Sequence, residues 1–169
     1  MDNNYIFQYW EAIQNGTVTV GKWIKTIYEI LVNGLKSGKW DFDEEKANKA
    51  INFIENFCHH SEGRNDLLKL ELWQKAIVSA IFGIMDKRTG YRQFREVFIV
   101  VARKNGKTLF AAAIAAYMAY IDGEYGAKVY FLAPKLDQAD LVYDAFYQIV
   151  QADDELDSIT KKRRSDIYI

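Results

Sequence analysis

The chain has 169 residues, half of them hydrophobic and 15% aromatic, which excludes a disordered chain and allows one domain, or one domain with a small appendage. Its 22 basic and 23 acidic side chains leave a net charge of −1, so any contact with nucleic acid or an anionic membrane must come from a local patch. One cysteine excludes an internal disulfide framework and most cysteine-based metal sites, and it fits a reducing, intracellular setting.

The first third reads as helices. Val20, Trp23, Ile24, Ile27, Ile30, Leu31 and Leu35 recur at steps of three and four, which places them on the inward face of one helix. Thr19 is its expected cap, and Gly38 breaks the pattern. A second helix carries Ala47, Ala50, Ile51, Ile54, Phe57 and Cys58 on one face. Asp41 with Glu44 resembles a capping pair at its start, and Ser61, Glu62 and Gly63 end it. A third helix is expected over residues 71–85, with Leu72, Ala76, Ile77, Ala80, Ile81 and Ile84 inward.

The pattern changes after Arg95. Residues 97–101 are a continuous, mostly β-branched run, which predicts a strand buried on both faces of a parallel sheet. A polar turn follows, then an alanine-rich helix over residues 107–121 that Gly123 and Gly126 end. Its apolar run is about a dozen residues, short of the ~20 that a membrane helix needs. Residues 129–132 read as a second buried strand stopped by Pro134, and residues 136–150 as a helix with Ala139, Val142, Tyr143, Phe146 and Ile149 inward. Strand, helix, strand, helix predicts a right-handed crossover, hence an α/β fold with a parallel sheet. Residues 166–169 look like the start of another strand.

Gly106-Lys107-Thr108 falls between an expected strand and the start of a helix. Phosphate binds at such a junction, because first-turn N–H groups point outward and the helix dipole adds partial positive charge. A lysine there neutralises β- and γ-phosphate charge, and a threonine hydroxyl can ligate Mg²⁺. The usual phosphate loop has a further glycine five residues earlier, where this chain has Val101. The bland reading is an ordinary turn with a solvated lysine. Arg103, in the same loop, is either a charge stabiliser for a departing γ-phosphoryl group or a surface arginine. Gln74, near the start of the third helix, carries both a donor and an acceptor and so can read an adenine edge; most such glutamines are helix surface residues.

Other clusters read as structural. Cys58-His59-His60 lacks partner histidines elsewhere, so a zinc site is disfavoured. The basic run of Lys161, Lys162, Arg163 and Arg164 follows an acidic run and reads as a solvated connector. Arg88, Arg92 and Arg95 read as a solvated loop that could also touch phosphate.

The residues taken together resemble the N-terminal part of a tailed-phage terminase large subunit, the ATPase of the DNA-packaging motor. The resembling segments include Val20-Gly21-Lys22-Trp23-Ile24, Phe53-Ile54-Glu55, His60-Ser61-Glu62-Gly63, Leu70-Glu71-Leu72-Trp73-Gln74 and Ile81-Phe82-Gly83. Phe94-Arg95-Glu96-Val97, Ala102 through Thr108, and Ala127-Lys128-Val129-Tyr130 follow in the family's order. This family characteristically lacks the first glycine of the phosphate loop, so Val101 fits it.

The resemblance implies a helical region over residues 1–65, then the first part of a P-loop ATPase domain of terminase type over residues 66–169. It implies that Trp73 and Gln74 belong to an adenine motif, and that Arg103, Lys104, Asn105, Gly106, Lys107 and Thr108 form the Walker A loop around ATP. Lys107 and Arg103 take catalytic roles and Thr108 reaches Mg²⁺. Gln138-Ala139 matches a motif that follows the second strand. Implied partners of the whole motor are double-stranded DNA, a small terminase subunit, a portal protein and further copies in a ring, in the host bacterial cytoplasm and away from any membrane. An acidic Walker B strand and a two-metal nuclease cluster are not found in the sequence. Residues 146–155, the nearest lookalike, have helical spacing and are interrupted by Gln151. The chain therefore reads as an N-terminal piece expected to turn over little or no ATP alone. A helicase-like ATPase and a non-catalytic helical adaptor remain as alternatives.

Overall fold

A computed structural model of the chain describes residues 4–60, 66–124, 126–163 and 166–169. The expected helix stop at Ser61, Glu62 and Gly63, the boundary at residue 65, and Arg164 of the basic run lie outside the described residues. The chain divides into two compact units, Met1–Ile51 with Leu70–Phe98, and Asn52–Lys69 with Ile99–Ile169.

In the first unit, helix α1 (Tyr5–Gln14) starts where Asn4 Oδ1 accepts the Ile6 N–H at 2.9 Å. Helix α2 (Lys22–Lys36) starts after Gly21 rather than after Thr19, and Gly38 follows it at φ 68°. The expected inward face is corrected in part: Leu31 is buried and Val20 and Leu35 pack against the core as expected, but the other four members are not inward. Tyr28, Leu31 and Val32 are buried, whereas Trp23 is 75% exposed and Ile24, Ile27 and Ile30 also face solvent. Apolar residues of α2 cover more than one stripe, so spacing alone left its rotation open. Close packing decides it. A Cβ at Gly34 would run into the Trp40 ring, and Tyr28 meets Tyr9 edge-on at 4.7 Å. The resulting core joins Ile6, Tyr9, Tyr28, Leu31, Val32, Ala76 and Ile84.

Strand β1 (Asp41–Phe42) pairs antiparallel with β2 (Ile84–Met85), Phe42 opposite Ile84. Between them lie helices α3 (Glu44–Phe57) and α4 (Leu72–Gly83). Asp43, not Asp41, caps α3, its Oδ1 accepting the Lys46 N–H at 2.9 Å. Helix α4 ends at Gly83, before the expected residue 85, because Ile84 and Met85 enter β2. It is buried on Gln74, Ala76, Val78, Ser79, Phe82 and Gly83, while Leu72, Ile77, Ala80 and Ile81 are half-buried. A helix covered on several sides carries little periodic signal.

In the second unit, α5 (Lys107–Tyr120) packs on α6 (Leu136–Gln151), both close to the expected spans. Helix α5 buries Ala112, Ala113, Ala115 and Ala116, and α6 buries Ala145, Phe146, Ile149 and Val150. Tyr120 stacks on Phe146, and Phe131 lies against the same ring. A short helix α7 (Asp154–Ser158) and an antiparallel pair, β3 (Lys161–Lys162) with β4 (Ile167–Tyr168), complete the unit. The strand expected near residue 166 is thus half of a hairpin whose other half is the basic run.

Residues 97–101 and 129–132 do not form strands among the described residues, whose sheets are two antiparallel pairs. Phe98, Val100 and Leu132 are 91%, 97% and 91% exposed. A strand buried on both faces needs ladder partners and covering layers; neither run is in a ladder, and of these residues Phe131 packs on Phe146 while Phe98, Val100 and Leu132 are uncovered. No described helix is long and apolar enough to cross a membrane.

Two outcomes follow. Trp23→Ser or Ile27→Ser should lower unfolding stability by less than about 0.5 kcal/mol, and Leu31→Ala by about 2–5 kcal/mol, in urea titrations of each variant. Burial, with Asp153 adding a smaller push, raises the Cys58 thiol to about 12. The unfolded thiol titrates near 8.5, so this contribution to stability is full below that pH and is lost as pH rises towards 12. A thiol reagent should therefore label Cys58 in the folded chain far more slowly than in urea; equal rates would show the site open.

Candidate nucleotide-binding site

The loop at Ala102–Gly106 is built by backbone conformation. Gly106 caps α5 at φ 65° and ψ 17°, in the left-handed region. A Cβ at Gly106 would meet nothing within 4 Å, so the glycine serves conformation rather than space. Lys104 also sits left-handed, at φ 67°, alone among the described non-glycine residues. For a residue with a Cβ that costs about 1–2 kcal/mol. Asn105 Nδ2 donates to the carbonyls of Ala102 and Arg103, each at 3.3 Å.

A glycine cap brings no side-chain oxygen to the first-turn N–H groups of α5, and Phe110 N–H is the first to donate back, to Gly106 O at 2.9 Å. Lys107 stands in that first turn with no acidic residue beside it. A cation at the positive end of a helix dipole is locally unfavourable. An anion placed there would relieve both the lysine and the bare N–H groups. The side chains of Arg103, Lys104, Asn105 and Lys107 are exposed, and Thr108 is half-buried where α5 turns into its unit. These residues therefore form one contiguous, cationic and exposed loop.

Trp73 and Gln74 belong to the first unit, in the first turn of α4. Trp73 is half-buried against that unit's core, and Gln74 is 8% exposed. Gln74 Oε1 accepts the Glu71 N–H at 2.8 Å, as one half of a capping box with Glu71. The spacing of Glu71 and Gln74 carries the signal for this cap; Gln74 is a buried capping residue, not the helix-surface glutamine that is the common case. Nothing in the sequence signals the left-handed Lys104.

The terminase large subunit ATPase domain family matches residues 72–169. The crystal structure of the HK97 bacteriophage large terminase is similar, with 26% identity and a TM-score of 0.60. The likeness covers 71% of this chain and 24% of that one, so the chain spans about a quarter of the solved protein's length. No curated protein matches the chain. Because the family match takes in more than half of the chain, including α4, the Arg103–Thr108 loop and α5, the chain belongs to the terminase large subunit family through its ATPase domain.

Proposed function

We propose that this chain carries the adenine and phosphate contacts of an ATP-driven DNA-packaging motor. The observation that carries the reading is Lys107, set behind a left-handed glycine cap at the bare start of α5, inside the family-matched segment. ATP with Mg²⁺ supplies the transferable phosphoryl group. The Lys107 ammonium pairs with β- and γ-phosphate oxygens while the loop N–H groups take others. The Thr108 hydroxyl would be the residue that holds Mg²⁺. Arg103, exposed in the same loop, stabilises charge on the γ-phosphoryl group as it leaves. Trp73 and Gln74 hold the base.

In the same reading, residues 97–101 and 129–132 are strands of a P-loop parallel sheet that pair and bury once flanking strands meet them. Their β-branched, apolar composition and present exposure support this. The whole motor would work on double-stranded DNA with a small terminase subunit, a portal and further copies in a ring, in the host cytoplasm. Neither a helicase nor a helical adaptor draws support from the family match.

Mg-ATP should raise the thermal midpoint of the chain, because a ligand that binds only the folded state stabilises it by RT ln(1 + [L]/Kd). Lys107→Ala should remove that shift, and a shift unchanged in this variant would sink the proposal. Gly106→Asn should keep more ATP binding than Gly106→Val in calorimetry, since only φ constrains the site and asparagine tolerates the left-handed region. Steady-state ATP hydrolysis should be absent or small, as the sequence offers no acidic strand to position an attacking water.

A further inference from the structure

We propose that Asn105 is a positioning residue that shapes the phosphate loop before any ligand arrives, rather than a ligand contact. The proposal rests on the nucleotide reading of the loop. Its amide nitrogen spans two consecutive carbonyls, Ala102 O and Arg103 O, both at 3.3 Å. The Arg103 carbonyl belongs to the peptide plane that leads into Lys104, and φ of Lys104 sets the turn after that plane. A trans peptide points its N–H opposite its C=O. Holding the Ala102 and Arg103 carbonyls from one side therefore turns the Arg103 and Lys104 N–H groups to the other side together. Consecutive N–H groups presented this way form an anion-binding concavity.

The arrangement also accounts for a lysine in the left-handed region at φ 67°, where glycine or asparagine is usual. The two hydrogen bonds of the neighbouring amide hold a conformation that Lys104 alone would leave. With both amide hydrogens spent on the backbone, Asn105 has no donor left for a phosphate oxygen. Its contribution is preorganisation: the loop is shaped in advance, so binding does not have to order it.

The test is a double-mutant cycle with Asn105→Ala, Lys104→Gly and both together, read in two ways. Backbone chemical shifts and three-bond couplings of residue 104 report its φ without any ligand. Calorimetry gives the Kd of Mg-ATP, with Lys107→Ala as the control for the site itself. Asn105→Ala should move Lys104 out of the left-handed region and weaken Mg-ATP about 5- to 10-fold, with the thermal midpoint of the free chain unchanged. In the Lys104→Gly background the same substitution should cost about twofold or less, because glycine adopts the left-handed region without help. Asn105→Asp, which keeps the shape but has no N–H to donate, should likewise move Lys104 out of the left-handed region in the free chain; its added charge keeps it out of the affinity comparison.

A Lys104 that stays left-handed in Asn105→Ala overturns the clasp. Equal losses in both backgrounds overturn it in favour of direct contact. A Lys104 that moves while Mg-ATP affinity holds, with Lys107→Ala abolishing binding, overturns the positioning role alone. Mg-ATP binding that survives Lys107→Ala overturns the nucleotide reading and the positioning role with it, while the shift of residue 104 still reports separately on the clasp.

Discussion

The close approach of α5 to α6 is the constraint on which the second unit depends. Alanines 112, 113, 115 and 116 give α5 a buried side with almost no side-chain bulk. Larger residues there would push the helices apart and open space around Phe146, Ile149 and Val150. Helix α5 begins at the loop, so the packing that fixes its axis also fixes where Lys107 and Thr108 stand. Tyr120, at the far end of α5, stacks on Phe146 and shares a hydrogen bond with Thr160 at 2.6 Å. The helix is thus anchored along its length and at its C-terminal end, while its N-terminal end is left open.

That open end concentrates unfavourable local choices. A cation stands at the positive pole of a helix, a lysine adopts a left-handed backbone, and the cap is a glycine without an acceptor. In an ordinary turn each of these would cost stability with no return. Their coincidence on one loop, inside a segment that matches an ATPase family, supports the anion site proposed for it. Gln74 shows a related economy. The residue expected to read a base also closes the first turn of its own helix, so its side-chain oxygen is held by that helix.

Sequence reading succeeded where one signal dominated. Helix α5 was expected over 107–121 and runs Lys107–Tyr120, because alanines favour helix and glycines flank it. The family was recognisable from the loop and the segments around it. The rotation of α2 was legible only in part: Leu31 is inward as expected, but Trp23, Ile27 and Ile30 match a helical face as well as the buried Tyr28 and Val32 do. The choice depended on the contact between Gly34 and Trp40, which no periodicity encodes. The two apolar runs after Arg95 have the composition of buried strands, but composition cannot supply the neighbours that bury them. The left-handed Lys104 and the Asn105 clasp arise from hydrogen bonds between atoms of one loop, below the level of any pattern.

Those unpaired runs bear on the behaviour of the isolated chain in solution. Residues 97–101 contain five apolar side chains in a row, with no charge and no proline. Phe98 and Val100, two apart, face water almost completely. An extended segment of that kind offers free backbone donors and acceptors beside an apolar face, which is a template for intermolecular β-pairing. Natural proteins usually interrupt such edges with lysine, proline or a covering element. Here the charges lie only at the ends of the run, Arg95 and Glu96 before it and Arg103 and Lys104 beyond Ala102, with none inside it. The polypeptide is therefore prone to concentration-dependent aggregation through this segment, and the exposed apolar run sets how concentrated a solution of it can be.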